Sequence, residues 1–188
     1  SNILSNRTGF GCGFFFNPDF ITTKQFLAEM KISDDLTINF YLKYNSSNNN
    51  FDLIINKVKD DFETSLGEVN SNIAFKEWSF LGVNAKQKEK NIELFIYINN
   101  YFIKLSIENS SFNGEKSYLQ FGKYSFISLG QVHNYAGLIT SIMIDYNNEI
   151  QDEFLNNFLF NIKTGLNSTP LNITNNYPIY KTLNKYVY

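Results

Sequence analysis

Two glutamates are spaced in the way that most resembles a catalytic pair in this sequence. Glu149 and Glu153 lie four residues apart, and glycoside hydrolases use two carboxylates that flank the glycosidic bond. Both residues follow the Asn147–Asn148 turn, however, and do not lie within a predicted strand. Acidic side chains placed just after a turn stabilise the start of a helix. The spacing therefore favours solvated acids over a catalytic pair.

The chain contains one cysteine, Cys12, and one histidine, His133. This count excludes an intrachain disulfide and a zinc site built from His and Cys ligands. Cys12 is predicted to be a small buried apolar residue, because only His133 could activate it as a nucleophile. No nucleophile elbow surrounds His133. Calcium binding stays open, since Asp, Asn and carbonyl oxygens suffice, but no segment shows clustered acids at ligand spacing.

A candidate ligand-binding segment precedes the last clear strand and combines aromatic rings with hydrogen-bonding groups. Its candidate ligand-binding residues are Tyr124, Gln131, His133, Asn134 and Tyr135. Sugar recognition needs this combination, because a flat apolar surface meets the C–H face of the ring while polar groups bind its hydroxyls. The alternative interpretation is an ordinary connecting loop with a partly buried Tyr.

Composition limits the classes of partner. The chain has 16 basic and 18 acidic residues, for a formal net charge of −2. The overall charge therefore does not favour binding to nucleic acid or to an anionic membrane. No apolar run approaches the roughly 20 residues that span a bilayer, and residues 1–17 lack the pattern of a signal peptide. The sequence is interpreted as an excised domain or mature fragment of a globular protein.

The clearest structural signal is a hairpin over residues 94–107. Leu94, Ile96 and Ile98 alternate with polar or aromatic residues, and the same period continues at residues 103–107. The Asn99–Asn100 pair between the two runs is typical of a tight turn, because Asn tolerates the left-handed conformation.

Other segments predict further strands and two short helices. Strands are predicted at residues 36–42, 51–55, 117–122 and 137–146. Gly9, Gly11 and Gly13 lack the spacing of a phosphate loop and indicate a strand or a bulge with close backbone approach. Residues 22–30 and 149–160 show helical spacing of apolar residues.

Many short strands separated by turn residues predict an all-β fold of two antiparallel sheets, with one or two short helices. Residues 1–163 are predicted to form this sandwich domain, and residues 164–188 an extended C-terminal tail or linker. The 17% aromatic content agrees with this prediction, because flat rings pack well on a pleated surface.

Several segments, in order, resemble the concanavalin A-like or laminin-G-like jelly-roll superfamily. They are LTINFYLKY at residues 36–44, a Trp78-led strand followed by LFIYIN at 94–99, LQFG at 119–122, and GLITSIMIDYN at 137–147 with an acidic turn after it. The resemblance implies a two-sheet jelly roll. It also implies that Trp78 packs in the core and is not a sugar platform.

A narrower resemblance is carried by SNILSN at residues 1–6, the Asn-rich texture, and PLNIT and YPIY in residues 170–180. These segments are similar to the N-terminal jelly-roll half of the receptor-binding region of clostridial neurotoxins, and to their non-toxic partner protein. In that family the tail leads into a β-trefoil that carries the main receptor pocket.

The expected function is a non-catalytic, lectin-like module that binds a cell-surface glycan or receptor. The resemblance implies a secreted, extracellular bacterial protein of the toxin or adhesin type. The alternative is a structural jelly roll that packs against neighbouring domains in a toxin-associated or phage tail protein. A glycoside hydrolase is the third hypothesis. No cofactor, nucleic acid or transmembrane segment is expected.

Overall fold

The computed structural model describes residues 8–113, 117–122, 132–145 and 150. These residues contain strands and no helix. The strands are β1 (Gly9–Pro18), β2 (Gln25–Ser33), β3 (Leu36–Asn45), β4 (Asn50–Lys59), β5 (Phe62–Ala74), β6 (Ser79–Lys88), β7 (Asn91–Ile98), β8 (Tyr101–Ile107), β9 (Tyr118–Phe121), β10 (His133–Asn134) and β11 (Gly137–Asp145).

The strands form two sheets that pack as a sandwich. The first sheet has the order β11-β1-β6-β7-β8, and the second has the order β10-β2-β3-β4-β5, with β9 also paired to β2. All pairs are antiparallel except β10 with β2, which is parallel. The predicted all-β antiparallel sandwich is confirmed. No helix that could cross a membrane occurs in the described ranges.

Alternating side chains from both sheets build the core between them. Successive residues of a strand point to opposite faces, so one apolar set per strand is buried. The first sheet contributes residues such as Phe14, Val83 and Ile96, and the second contributes Ile38 and Leu53, all fully buried or nearly so. Each face turned away from the core therefore carries the intervening residues.

The predicted hairpin is confirmed as β7 and β8. Leu94 pairs with Leu105 and Ile96 with Ile103, and Asn99 has a φ of 53° in the turn. Asn99 is also buried, and its side-chain Oδ1 accepts a hydrogen bond from the backbone N–H of Phe80 at 3.0 Å. The turn residue thereby joins the hairpin to β6.

The helix predicted at residues 22–30 is wrong, because this segment forms strand β2. A register shift lies between Phe26 and Ala28 in the β2–β3 pairing. Leu27 and Ala28 then both reach the core, followed by Met30. This bulge interrupts the period of two and produces spacing that resembles a helix. The helix predicted at 149–160 and the tail at 164–188 lie outside the described residues, Ile150 excepted.

The placement of Trp78 in the core is also wrong. Trp78 is half-buried and lies in the segment between β5 and β6, outside the core cluster. The adjacent strand begins at Ser79, and its inward positions are held by Leu81 and Val83. Cys12, by contrast, is 1% exposed within the core cluster, so its prediction as a buried apolar residue is confirmed.

Candidate functional site

The predicted binding residues divide between described and undescribed parts of the chain. Tyr124 and Gln131 lie outside the described residues. His133, Asn134 and Tyr135 are described; they lie between β9 and β11 in the chain, and the first two pair with β2. The structure brings these three residues to one end of the sandwich, beside the segment that connects β1 to β2.

His133 and Asn134 form the short strand β10. They pair in parallel with Gln25 and Phe26, and the backbone N–H of His133 donates to the carbonyl of Lys24 at 3.0 Å. Both side chains of β10 are exposed. This pairing fixes the backbone while it leaves the imidazole and the carboxamide at the surface.

The imidazole of His133 lies against an exposed aromatic ring that the sequence analysis did not identify. The rings of His133 and Phe20 meet edge to face, with their centroids 5.9 Å apart. Phe20 is 44% exposed, so part of its ring faces solvent. Two aromatic surfaces from segments more than 100 residues apart therefore lie side by side.

A buried glutamine holds these two segments together. Gln25 is fully buried; its Nε2 donates to the carbonyl of Phe20 at 2.8 Å, and its Oε1 accepts from the N–H of Ala136 at 3.3 Å. The N–H of Asp19 also donates to the carbonyl of Ala136 at 3.0 Å. Buried polar contacts of this kind specify one arrangement, because leaving any of these groups unpaired is costly.

Tyr135 packs inward beside this arrangement. Its half-buried ring contacts the core cluster, and its hydroxyl donates to the carbonyl of Leu138 at 3.0 Å. Burial raises the pKa of the Tyr135 hydroxyl well above its usual range. A Cβ at Gly137 would clash with the carbonyl oxygen of Asn17 and lie 2.5 Å from this hydroxyl, so the position requires glycine.

A shallow cleft of about 360 Å³ opens at this end of the sandwich. Its lining residues are Asn17, Asp19, Lys76, Gly137 and Leu138; we refer to these five residues as the rim cleft. Lys76 Nζ lies 3.4 Å from Asp19 Oδ1, with both side chains more than half exposed. The backbone N–H of Lys76 donates to the carbonyl of Pro18 at 2.9 Å.

The rim cleft presents several kinds of polar group at the end of the sandwich that also carries Phe20 and His133. Asn17 and Asp19 offer amide and carboxylate oxygens, and Lys76 offers an ammonium group. Phe20, which follows Asp19 directly, offers a flat apolar ring. The arrangement can bind hydroxyl groups and an apolar ring face together.

Asp19, Phe20 and Lys76 were not among the predicted binding residues. Pro18 and Asp19 form a dipeptide typical of a turn, and Lys76 lies in a separate connection between β5 and β6. The sequence does contain one signal, because Phe20 and Ile21 are apolar residues next to polar ones in a connection between strands. In the structure both side chains are exposed. Exposed apolar residues in a turn indicate a binding surface better than buried apolar residues do.

Within the described ranges, no group of three or more His, Cys, Asp or Glu side chains is placed to hold a metal ion. Calcium binding therefore stays open, as it was from the sequence. Burial raises the pKa of the Cys12 thiol to about 12, which keeps the thiol protonated at neutral pH and unsuited to nucleophilic attack.

No protein-family model matches the sequence, and no curated protein sequence matches it significantly. Solved structures share the fold. A heptameric SAP-like pentraxin from Limulus polyphemus superimposes with a TM-score of 0.51 at 11% identity, covering 80% of this chain and 68% of that one. The CBM40 module of Ruminococcus gnavus IT-sialidase gives a TM-score of 0.52 at 10% identity, covering 80% and 82%.

The same module bound to α2,3-sialyllactose gives a TM-score of 0.51 at 10% identity, covering 79% of this chain and 80% of that chain. At these identities the likeness concerns the fold. The narrower resemblance to clostridial neurotoxins and their partner protein stays a prediction. The chain thus shares the jelly-roll sandwich of pentraxins and carbohydrate-binding modules, as the concanavalin A-like resemblance implied.

Proposed function

We propose that this chain is a glycan-binding module that holds a saccharide at the rim cleft without covalent chemistry. One observation carries the proposal: the exposed rings of Phe20 and His133 meet edge to face, and Asp19, the residue before Phe20, lines the rim cleft. Pyranose rings have one apolar C–H face and a periphery of hydroxyls, and this arrangement matches both.

The preformed backbone supports this proposal. Gln25 and the Asp19–Ala136 hydrogen bond hold the two segments in place, so little conformational entropy is lost when a ligand binds. The fold also supports it, since a sialidase module with the same sandwich is found bound to sialyllactose. We further propose a secreted or surface location, where such glycans are displayed.

The test is a glycan array followed by calorimetric titration of the best ligand. Phe20→Ala and Asp19→Asn are each expected to weaken binding about tenfold, which corresponds to about 1.4 kcal/mol. Phe62→Ala is the matched control, because Phe62 is 75% exposed at the start of β5. Negative results across a broad array, or unchanged affinity in both variants, would overturn the proposal.

A second candidate function is supported by exposed apolar residues in the cleft and in the connection between β1 and β2. Phe20, Ile21 and Leu138 are 44%, 46% and 61% exposed, and neighbouring exposed apolar residues mark interaction sites. In this alternative the jelly roll packs against another protein domain. A negative glycan array, together with protection of these three side chains from hydroxyl-radical labelling in a complex with products of neighbouring genes, would favour it.

A further inference from the structure

A second surface with binding chemistry lies on the outer face of the first sheet, across β6, β7 and β8. Ile92, Leu94 and Ile96 of β7 point into the core, so the intervening Glu93, Phe95 and Tyr97 face outward. We refer to Lys88, Glu93, Phe95, Phe102 and Lys104 as the lysine–aromatic patch.

Strand register brings the members of this patch together. Phe95 pairs with Lys104, and Tyr97 pairs with Phe102 across β7 and β8. Directly opposed side chains on one face of an antiparallel pair lie close enough to contact each other. The patch is therefore a consequence of a fixed pairing.

The aromatic rings form a supported platform. Phe95 and Phe102 are stacked with centroids 6.2 Å apart and an interplanar angle of 23°, and Tyr97 lies 5.0 Å from Phe102. Phe102 is 51% exposed, whereas Tyr97 beside it is 5% exposed. The exposed ring thus rests against buried aromatic surface and can receive the C–H face of a sugar.

Positive charges outnumber negative charges among Lys88, Glu93 and Lys104 beside the platform. Lys104 Nζ lies 3.0 Å and Lys88 Nζ 3.4 Å from the same oxygen of Glu93, Oε1. Two ammonium groups therefore share one carboxylate oxygen, which leaves one positive charge in excess among these three side chains. Lys104 Nζ also lies 5.3 Å from the centroid of Phe95, so the excess charge borders the platform.

We propose that the lysine–aromatic patch is a second glycan site that recognises a carboxylate-bearing sugar, of the hexuronate class. The sugar ring stacks on Phe102, and its carboxylate pairs with Lys104. The ligand then supplies the second anion that the two lysines lack. The patch lies across β6, β7 and β8, and β8 is at the opposite edge of the first sheet from β11, whose first residues line the rim cleft.

The chemistry of the patch fits an acidic sugar better than it fits single-stranded nucleic acid, the other anionic ligand that stacks on aromatic rings. Single-stranded nucleic acid requires a basic groove that follows many phosphates, whereas here Glu93 interrupts the lysines and the whole chain carries a net charge of −2. One exposed ring beside two ammonium groups that share a single carboxylate fits a sugar ring that bears a carboxylate.

The test uses the whole chain and a hexauronate, with the carboxyl-reduced, neutral hexasaccharide as the ligand control. Phe102→Ala and Lys104→Gln are each expected to weaken hexauronate binding at least tenfold in calorimetry. The reduced ligand is expected to bind at least tenfold more weakly, and affinity for the acidic ligand should fall as salt is raised. Thermal unfolding of each variant verifies that the fold is retained.

Two variants serve as matched controls. Lys43→Gln removes an exposed lysine that also pairs with a glutamate, but in the second sheet, and Phe62→Ala removes an exposed ring elsewhere. Both should bind hexauronate normally, as should Phe20→Ala, which separates this site from the rim cleft. Equal affinity for the reduced ligand, or no effect of Phe102→Ala and Lys104→Gln, would overturn the proposal. The proposal would also be overturned if the protein used these residues to bind anionic vesicles or single-stranded DNA and did not bind hexauronate.

Discussion

Asn84 holds the backbone of Ile150 through both polar atoms of its side-chain amide. Its Nδ2 donates to the carbonyl of Ile150 at 2.7 Å, and its Oδ1 accepts from the N–H of Ile150 at 2.9 Å. Asn84 is fully buried and pairs with Gly11 of the neighbouring strand. The side-chain amide of Asn84 thus bonds both backbone polar groups of Ile150, which the backbone of a neighbouring strand would bond in a sheet.

Gly11 leaves the space that this contact requires. A Cβ at position 11 would lie 2.6 Å from the backbone nitrogen of Ile150 and 2.7 Å from Asn84 Oδ1. We expect Gly11→Ala to lower the free energy of unfolding by about 1–3 kcal/mol, the usual cost of overpacking. Chemical denaturation monitored by circular dichroism would measure the change.

Gly67→Ala is the matched control for Gly11→Ala. Gly67 also lies within a strand, but a Cβ there would meet nothing within 4 Å. Its replacement should leave stability unchanged or raise it by up to about 1 kcal/mol, since alanine restricts the unfolded chain. Equal losses in the two variants would show that the Ile150 contact does not explain the glycine.

Asn99 combines two roles that substitution can separate. Its φ of 53° favours Asn or Gly, while its buried side chain bonds to Phe80 N and Asn72 O. Asn99→Ala loses both features, whereas Asn99→Gly loses only the side-chain bonds. We expect both variants to be destabilised in thermal or urea unfolding, with Asn99→Ala worse by about 1 kcal/mol because alanine is strained at positive φ.

If the glycine variant were the less stable of the two, backbone conformation would not be a constraint at the β7–β8 turn. Wild-type stability in Asn99→Gly would show in turn that the side-chain bonds contribute nothing. Each outcome addresses a different property of one residue.

Tyr41 is fully buried on the side of β3 that faces away from the core, where its hydroxyl donates to Glu63 Oε1. Asn39 and Asn56 donate to the same oxygen at 3.3 and 3.1 Å. We expect Tyr41→Phe to cost about 1.5 kcal/mol, the lower end for a hydrogen bond to a charged group, because Glu63 reaches solvent. Urea denaturation would measure the loss.

Tyr44→Phe provides the comparison for Tyr41→Phe. The Tyr44 hydroxyl donates to Asn49 Oδ1 at 3.2 Å in an exposed position of the same strand. Its removal should change stability by less than about 0.5 kcal/mol. A loss in Tyr44→Phe as large as that in Tyr41→Phe would contradict the importance of burial.

Glu93 should contribute a pH-dependent increment of stability. The hydrogen bond from Lys104, followed by the charges of Lys104 and Lys88, lowers the pKa of the Glu93 carboxyl below its ordinary value of 4.5. The folded state therefore releases this proton more readily than the unfolded state, so the contribution is present above pH 4.5 and is lost as the pH falls through the folded pKa.

Thermal melting between pH 7 and pH 3 would test this sign. Wild type should lose more stability than Glu93→Gln over the acid part of the range, because the amide cannot titrate. Lys104→Gln should show a smaller acid loss than wild type, since it removes the main cause of the shift. Parallel melting curves for all three proteins would refute the coupling.

Local sequence was sufficient for the elements whose pattern has one physical interpretation. The alternation around Asn99–Asn100 predicted β7 and β8, because period-two burial and a left-handed turn leave few alternatives. Gly9, Gly11 and Gly13 indicated close backbone approach, and Ile150 confirms it at Gly11. Cys12 was correctly assigned to the interior. Each of these inferences depends on residues that are neighbours in the chain.

Tertiary structure decided the features that join distant residues. The bulge at Phe26–Ala28 made a strand of a segment with helical spacing, and Trp78 lies outside the core for reasons that its residue type does not reveal. Phe20 meets His133 only because β10 pairs beside β2. Strand register likewise places Phe102 beside Phe95. Periodicity specifies which face of a strand is buried, but only pairing between strands determines which side chains become neighbours.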